Sequence, residues 1–357
     1  MGITNNHLLI WILLMWLLSK VIRMQRPELI FGKFEWRYKP FFAILIFLPI
    51  FIMVVYGPLR YDLFTYMTGF KNLPSTISLG WREAVSSDRP GFKLFGIIIK
   101  QLFGEKESCY RFAIALVQAV PLVLVLQKYS DNYLFSIYVF ITSTLHISWM
   151  MNGIRQFMAV TIIFAATPWI IQKKYIRTII VILLAASFHK TALVMIPVIF
   201  IVQGKVWNWK TILYSIAIIG LTYVFAQNTG AFDTVASIAG YSMDVVRSWG
   251  DDGSNPVRVL VSAVPMIMAF VYRKRISAEN NSLINICINM SVITTGINLV
   301  AMVTSGILTG RMPIYTSLYN LILLPYLLNN AFGRNQRRLV TIAAILLYYL
   351  FYLRLVT

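Results

Sequence analysis

The sequence predicts an all-α, polytopic membrane protein with about twelve transmembrane helices. Three observations predict it. The 357 residues are 58% hydrophobic and only 13% charged, with a mean hydropathy of +0.71, a balance that water-soluble domains do not have. Apolar runs recur at about 7–22, 41–58, 109–127, 132–149, 157–171, 176–188, 191–203, 211–226, 257–272, 282–303, 313–329 and 339–356. Basic residues collect in short segments between them: Arg23 to Lys39, Lys128, Lys173-Lys174, Lys205 to Lys210, Arg273-Lys274-Arg275 and Arg334 to Arg338. By the positive-inside rule those segments are cytoplasmic.

Taken in order, the first run, Leu8 to Ile22, has no basic segment before it, and Arg23 and Arg26 follow it. That order suits a first span with an external N-terminus rather than a cleaved signal peptide. No hydrophilic block is long enough to fold separately, so residues 1–357 read as one transmembrane domain. The net charge of +19 would point to nucleic acid in a soluble protein; here the cytoplasmic loops account for most of it, and no nucleic-acid partner is expected. Cys109 and Cys287 are the only cysteines, which excludes a disulfide framework and any paired Cys/His metal spacing. Nucleotide-binding and Gly-x-Ser-x-Gly patterns are absent too. Neither cofactor nor metal is expected.

Two long outer loops are predicted, 59–108 and 227–256. The first holds an apolar stretch, Phe92 to Phe103, with Lys93 and Lys100 seven apart, a pattern for a helix lying in the membrane interface. The second holds Asp233, Tyr241, Asp244, Arg247, Trp249, Asp251 and Asp252. Between them, the runs 157–171 and 176–188 are shorter than the ~20 residues a bilayer core requires. Their helices therefore absorb flanking polar residues and draw Arg155 and His189 toward membrane depth. Lys173-Lys174 marks the opposite side. Residues 176–203 are read as a tight hairpin with His189 at its outer tip. One continuous helix is the alternative, and it would turn the basic loops near 274 and 337 outward.

The chemistry-bearing residues follow from this topology. Arg155 and Arg311 each lie near a glycine at the outer start of a span. A guanidinium stays charged and forks onto phosphate oxygens, which suits a lipid-linked pyrophosphate; headgroup snorkelling is the competing account. His189 can donate to a phosphate or take a proton, or cap a backbone carbonyl. His146, inside a span, reads as structural. Asp62, with Arg60, Tyr61 and Tyr66, forms an outer polar cluster, and Asp62, Glu83 and Asp88 are each candidate general bases. Trp81, Trp149 and Trp249 could stack on sugar rings or simply belong to the interfacial belt.

In order along the chain, Arg60-Tyr61-Asp62 with Tyr66, Asp88-Arg89-Pro90-Gly91-Phe92, Asn152-Gly153-Ile154-Arg155-Gln156-Phe157-Met158-Ala159, Phe188-His189-Lys190-Thr191-Ala192-Leu193 and Gly310-Arg311-Met312 with Tyr315 resemble the EpsG-like branch of Wzy-type bacterial polysaccharide polymerases. The Ile-Arg-Gln-x-x-Ala and Phe-His-x-x-Ala-Leu pieces are the specific ones. The family often carries glutamate where Asp88 stands, and 227–256 does not align. The resemblance implies a GT-C-like glycosyltransferase of the bacterial inner membrane, facing the outside. It would join undecaprenyl-pyrophosphate-linked oligosaccharides, and a chain-length regulator protein is an expected partner. It further implies substrate contacts from Arg155, Arg311, Arg60, Arg89, Gln156 and Tyr66, and catalytic roles for Asp62, His189 and Asp88. The competing functions are a flippase for the same lipid-linked sugar, an O-antigen ligase and a membrane acyltransferase.

Overall fold

In a computed structural model, residues 4–30, 32–58, 62–207, 253–277, 281–306 and 309–356 are described, with scattered positions between 209 and 234. The chain divides into two compact units, residues 1–196 with 332–357, and residues 197–331.

The first unit begins with α1 (Asn5–Val21), a two-stranded antiparallel hairpin of β1 (Gln25–Ile30) and β2 (Lys33–Tyr38), and α2 (Pro40–Tyr56). Pro40 suits the first turn of α2, where no N–H is needed. The first long loop is not open coil. It folds as α3 (Asp62–Lys71), α4 (Ile77–Val85) and α5 (Pro90–Phe103). Thus the helix expected from Phe92 to Phe103 is present, begun by Pro90. Lys100 does not snorkel outward. It is buried, and its ammonium donates to the carbonyls of Lys71 and Leu73 at 2.5 and 2.8 Å and pairs with Glu105 at 2.9 Å. A cation at the C-terminal carbonyls of α3 answers the negative end of that helix and fixes α5 against it.

The long helix α6 (Glu107–Tyr129) packs on α2 and on α9 (Ile154–Ala165). Arg111 is buried and donates to the carbonyls of Val54 and Gly57 at 2.8 and 2.7 Å, again a cation at a helix C-terminus. Pro121 inside α6 deprives the Val117 carbonyl of its usual N–H; the hydroxyl of Thr161 on α9 comes within 3.2 Å of that oxygen. The apolar run 132–149 is a broken element, α7 (Tyr133–Thr142) and α8 (Leu145–Met151), bent by 72°. Thr144 at the break has φ of 55°. After the short α10 (Thr167–Ile171) comes α11 (Tyr175–Phe188). It stops at His189, whose backbone is extended, before a 3-10 turn at Lys190–Val194 and α12 (Met195–Ile201). The helix break is where the sequence places it. The C-terminal helix Arg334–Val356 completes this unit, and Tyr138 donates to its Ile345 carbonyl at 2.7 Å.

The second unit contains the helices Pro256–Val271, Ser282–Val303, Ile314–Ser317 and Asn320–Asn330. A polar thread joins three of them: Asn298 donates to the Ser262 hydroxyl at 2.9 Å and Asn320 to the Ser262 carbonyl at 3.4 Å. The expected span at 211–226 and loop at 227–256 lie mostly outside the described residues.

Among the described residues three helices are long and apolar enough to cross a membrane, Glu107–Tyr129, Ser282–Val303 and Arg334–Leu355. The bent pair α7–α8 makes a fourth, and six shorter apolar helices accompany them. The protein is a mostly helical, multi-pass membrane protein. The number twelve stays an expectation, as does the GT-C-like arrangement. Among the described residues the one feature outside an all-α description is the β1–β2 hairpin, which falls in a segment read from sequence as a plain basic loop.

Candidate functional site

Four of the sequence candidates, Tyr66, Asp88, Arg89 and Arg155, line one cleft of about 400 Å³ in the first unit. Its walls come from α3 (Thr65, Tyr66, Phe70), the α4–α5 turn (Ser87, Asp88, Arg89), α5 (Phe92, Lys93), the start of α6 (Tyr110) and the start of α9 (Arg155).

Arg155 is half-buried and is the second residue of α9, after Gly153 as N-cap. Its Nε donates to the Tyr66 hydroxyl at 3.0 Å, and its guanidinium carbon lies 5.0 Å from the Tyr66 ring centre and 5.9 Å from that of Phe92. One edge of the fork is thus held by tyrosine. The aromatic wall behind is continuous. Tyr66 and Phe92 meet edge to face at 5.8 Å, Phe92 meets Phe188 at 6.5 Å, and Phe70 stacks on Tyr110 at 4.1 Å. Gly153 is required here, because a Cβ on it would lie 2.0 Å from the Trp149 ring.

The two helix starts at the cleft carry basic residues. Helix N-termini already carry partial positive charge, so acids are favoured there and bases are not. Neither α5 nor α9 has an acid in its first turn. Arg89 stands at the N-cap of α5, Lys93 follows one turn later, and Arg155 occupies the first turn of α9. All three line the cleft. Sequences break such local rules chiefly where function requires it, and two basic helix starts facing one cleft are an arrangement suited to an anion.

Asp88 is at the mouth, largely exposed, and its carboxylate pairs with the Lys190 ammonium at 2.9 Å. That hydrogen bond and charge, with Arg89 nearby, hold the Asp88 carboxyl below the usual carboxylate range. Lys190 directly follows His189, so the pair ties the turn bearing His189 to the cleft mouth. Glu83 pairs with Lys93.

The remaining candidates are distributed as follows. His189 is half-buried at the α11 break, next to Lys190. Asp62 opens α3, one helical turn before Tyr66; its side chain, and Arg60 and Tyr61, are outside the described residues. Gln156 is buried in α9 and is absent from the cleft lining. Arg311 ends a 3-10 turn, Thr309–Arg311, in the second unit and is exposed. That turn closes through Gly310, whose N–H donates to Ser305 at 2.9 Å and whose missing Cβ leaves room for the Ser254 hydroxyl. Trp81 is exposed on α4, and Trp249, Asp251 and Asp252 are outside the described residues. His146 is buried, stacked on Phe140 at 5.4 Å, in keeping with a structural role.

Sequence reasoning gave no binding or catalytic role to Lys93, Lys190, Phe92 or Tyr110. Lys190 was within reach, being adjacent to His189. Tyr110 carries no sequence signal, since it is one aromatic in an apolar run. No group of three metal-ligating side chains occurs among the described residues.

Comparison with curated proteins and with solved structures finds no match. Residues 41–357, which include every element lining the cleft, match the model of the EpsG family, and the chain belongs to that family.

Proposed function

We propose that this protein is a membrane polysaccharide polymerase that joins undecaprenyl-pyrophosphate-linked oligosaccharides on the outer face of the bacterial inner membrane. The observation that carries the reading is the convergence of Arg89, Lys93 and Arg155, at the starts of α5 and α9, on one aromatic-walled cleft. Membership of the EpsG family supports it.

In this reading a hydroxyl of the acceptor repeat attacks the anomeric carbon of the growing chain. The bond from that carbon to the pyrophosphate oxygen breaks, and undecaprenyl pyrophosphate leaves with the electron pair. Negative charge grows on the leaving group, and cations already in place stabilise it without reorganisation. Arg155, steadied by Tyr66, is the principal contact, with Arg89 and Lys93 beside it. His189 donates to the leaving phosphate, and Arg311, at the end of its own 3-10 turn, is a further phosphate-binding candidate. The acceptor's proton goes to a carboxylate. Asp88 is a weaker base than an ordinary carboxylate because Lys190 lowers its pKa. That shifts the assignment toward Asp62 or an acid of 227–256.

The test is polymerisation of purified lipid-linked repeat by Arg155→Lys and Arg311→Lys proteins of normal abundance. Lysine snorkels as well as arginine but cannot replace a fork. Loss of polymer in a variant supports phosphate binding by that arginine, and normal ladders from both variants would return these arginines to a structural role. A deletion strain separates the alternatives. Polymerase loss leaves single capped repeats, ligase loss leaves bare core, flippase loss leaves no repeat on the outer face, and acyltransferase loss leaves chain length intact.

A further inference from the structure

The β1–β2 hairpin is built the wrong way round for a hairpin in water. Directly opposed residues share a face, and the register pairs Pro27 with Trp36 and Leu29 with Phe34 on one side, and Glu28 with Glu35 and Arg26 with Arg37 on the other. The charged face is turned to the protein at Arg37, while Arg26 opposite it is exposed. Arg37 is buried at 4% exposure, donates to the Lys128 carbonyl at the end of α6 at 2.8 Å, and pairs with Glu35 and Asp131. On the apolar face Tyr38, at the end next to α2, is buried, and the rest is turned away: Leu29, Phe34 and Trp36 are 64%, 79% and 52% exposed. Gln127 donates to the Tyr38 carbonyl at 2.6 Å and fixes this orientation.

The place of the hairpin says what this face meets. Tyr110 at one end of α6 lines the cleft, and Lys128 at the other end holds Arg37. At 1.5 Å per residue they are about 27 Å apart, close to the ~30 Å hydrocarbon thickness. So the hairpin lies at the membrane face opposite the cleft. A two-stranded sheet has two unpaired edges, which hydrocarbon does not tolerate; its backbone must sit at headgroup depth, where water reaches it. Its outward side chains continue the exposed apolar surfaces of the two helices it joins, Leu17 and Val21 on α1 and Phe41 and Ile44 on α2. The segment 20–39 has six basic residues against two acids. Both acids are matched within the hairpin, Glu28 by Arg26 and Glu35 by Arg37. The balance is positive and carried by Lys20, Arg23, Lys33 and Lys39. Two of these lie over tryptophan, Lys20 at 4.9 Å from the Trp16 ring centre and Arg23 at 5.0 Å from that of Trp36, an arrangement suited to the headgroup belt.

We propose that the hairpin is an interfacial anchor that sinks Leu29, Phe34 and Trp36 into the leaflet opposite the cleft and binds anionic phospholipid headgroups through Arg23 and its basic neighbours. Juxtamembrane cations and anionic headgroups attract measurably at this depth. The experiment uses the full chain with Cys109→Ala, Cys287→Ala and Phe34→Cys, labelled with bimane and reconstituted in vesicles of phosphatidylcholine, with or without phosphatidylglycerol. The expected result is quenching by shallow doxyl-labelled lipid, protection from iodide, and roughly twofold stronger doxyl quenching in the anionic vesicles. That enhancement should vanish with Arg23→Gln and Lys39→Gln. Leu29→Cys in place of Phe34→Cys guards against a local effect of one substitution and should behave alike. Strong iodide quenching would place the face in water and overturn the proposal. Protection from both quenchers would place a protein there, a second copy or a partner, and would also overturn it. Equal quenching in both vesicle types would overturn the anionic preference.

Discussion

Arg155 Nε donates to the Tyr66 hydroxyl at 3.0 Å while the same guanidinium lies over the Tyr66 ring. The two contacts act differently. The ring lowers the cost of holding a cation in a partly dry cleft, whereas the hydroxyl fixes the angle of the fork. Tyr66→Phe keeps the first and removes the second. We expect polymer synthesis to fall roughly tenfold, the size of one hydrogen bond to a charged group, with normal abundance. Arg155→Lys should fall about a hundredfold or more. A Tyr66→Phe enzyme as active as the wild type in single-turnover assays would show that Tyr66 does not position Arg155.

The Asp88–Lys190 pair is exposed, so it adds little to stability. Its expected role is to hold the His189 turn at the cleft mouth. Asp88→Asn and Lys190→Met should each impair polymerisation with little change in melting temperature, and the exchange Asp88→Lys with Lys190→Asp should recover part of it. The pKa of Asp88 is depressed in the fold. What stability the pair contributes is therefore present above the ordinary carboxylate pKa of about 4 and lost as pH falls through the lowered value. With its pKa lowered, the Asp88 carboxyl stays ionised between about pH 5 and 8, so a pH dependence of the rate in that range that Asp88→Asn abolishes would speak against this role.

Arg111 supplies a third test. It is buried and satisfies the Val54 and Gly57 carbonyls at the end of α2. Arg111→Met would strand two carbonyls at membrane depth, at about 1–3 kcal/mol each. We expect lower abundance and a melting temperature in detergent down by several degrees. Arg111→Lys, which can still donate to both, should retain most of the stability. Equal stability of the Met variant and wild type would show that the contact is dispensable.

These residues show what the sequence made legible. Arg155, Tyr66 and Asp88 were readable because each is a polar group that hydropathy does not explain, Arg89 through the family resemblance, and all four line the cleft. Helix α5 was readable from Pro90 and the lysine spacing. The bend at Thr144 was not, because 132–149 is uniformly apolar and an average over the window hides a break; the Ser143-Thr144 pair was its only trace. The hairpin was missed because its alternation reads as a charged loop when the protein-facing side carries the charges. Arg111 was lost within an apolar run, since its partners are backbone carbonyls that no side-chain pattern announces.

A second close approach in the cleft's frame, beside that at Gly153, is at Gly91, in the first turn of α5. A Cβ there would lie 2.0 Å from the Ser187 hydroxyl oxygen, 2.9 Å from Ser187 Cβ and 3.2 Å from the Phe188 ring. Glycine thus lets α5 rest on α11 and brings Phe92 within 6.5 Å of Phe188. Gly91→Ala must push the helices apart or tilt α5, and Arg89 and Lys93 move with it. Overpacking of this kind costs about 1–3 kcal/mol. We expect a modest fall in thermal stability and a larger fall in polymer synthesis, because small displacements of positioned charges cost rate steeply. Adding Ser187→Gly removes both of the nearest atoms and should restore much of the activity. Gly104, by contrast, has φ of 69° and open space around its missing Cβ. Gly104→Ala should lower stability through backbone strain alone and leave the rate per folded molecule unchanged. If Gly91→Ala is fully active, or Ser187→Gly fails to rescue it, the seating of α5 on α11 does not set the cleft geometry.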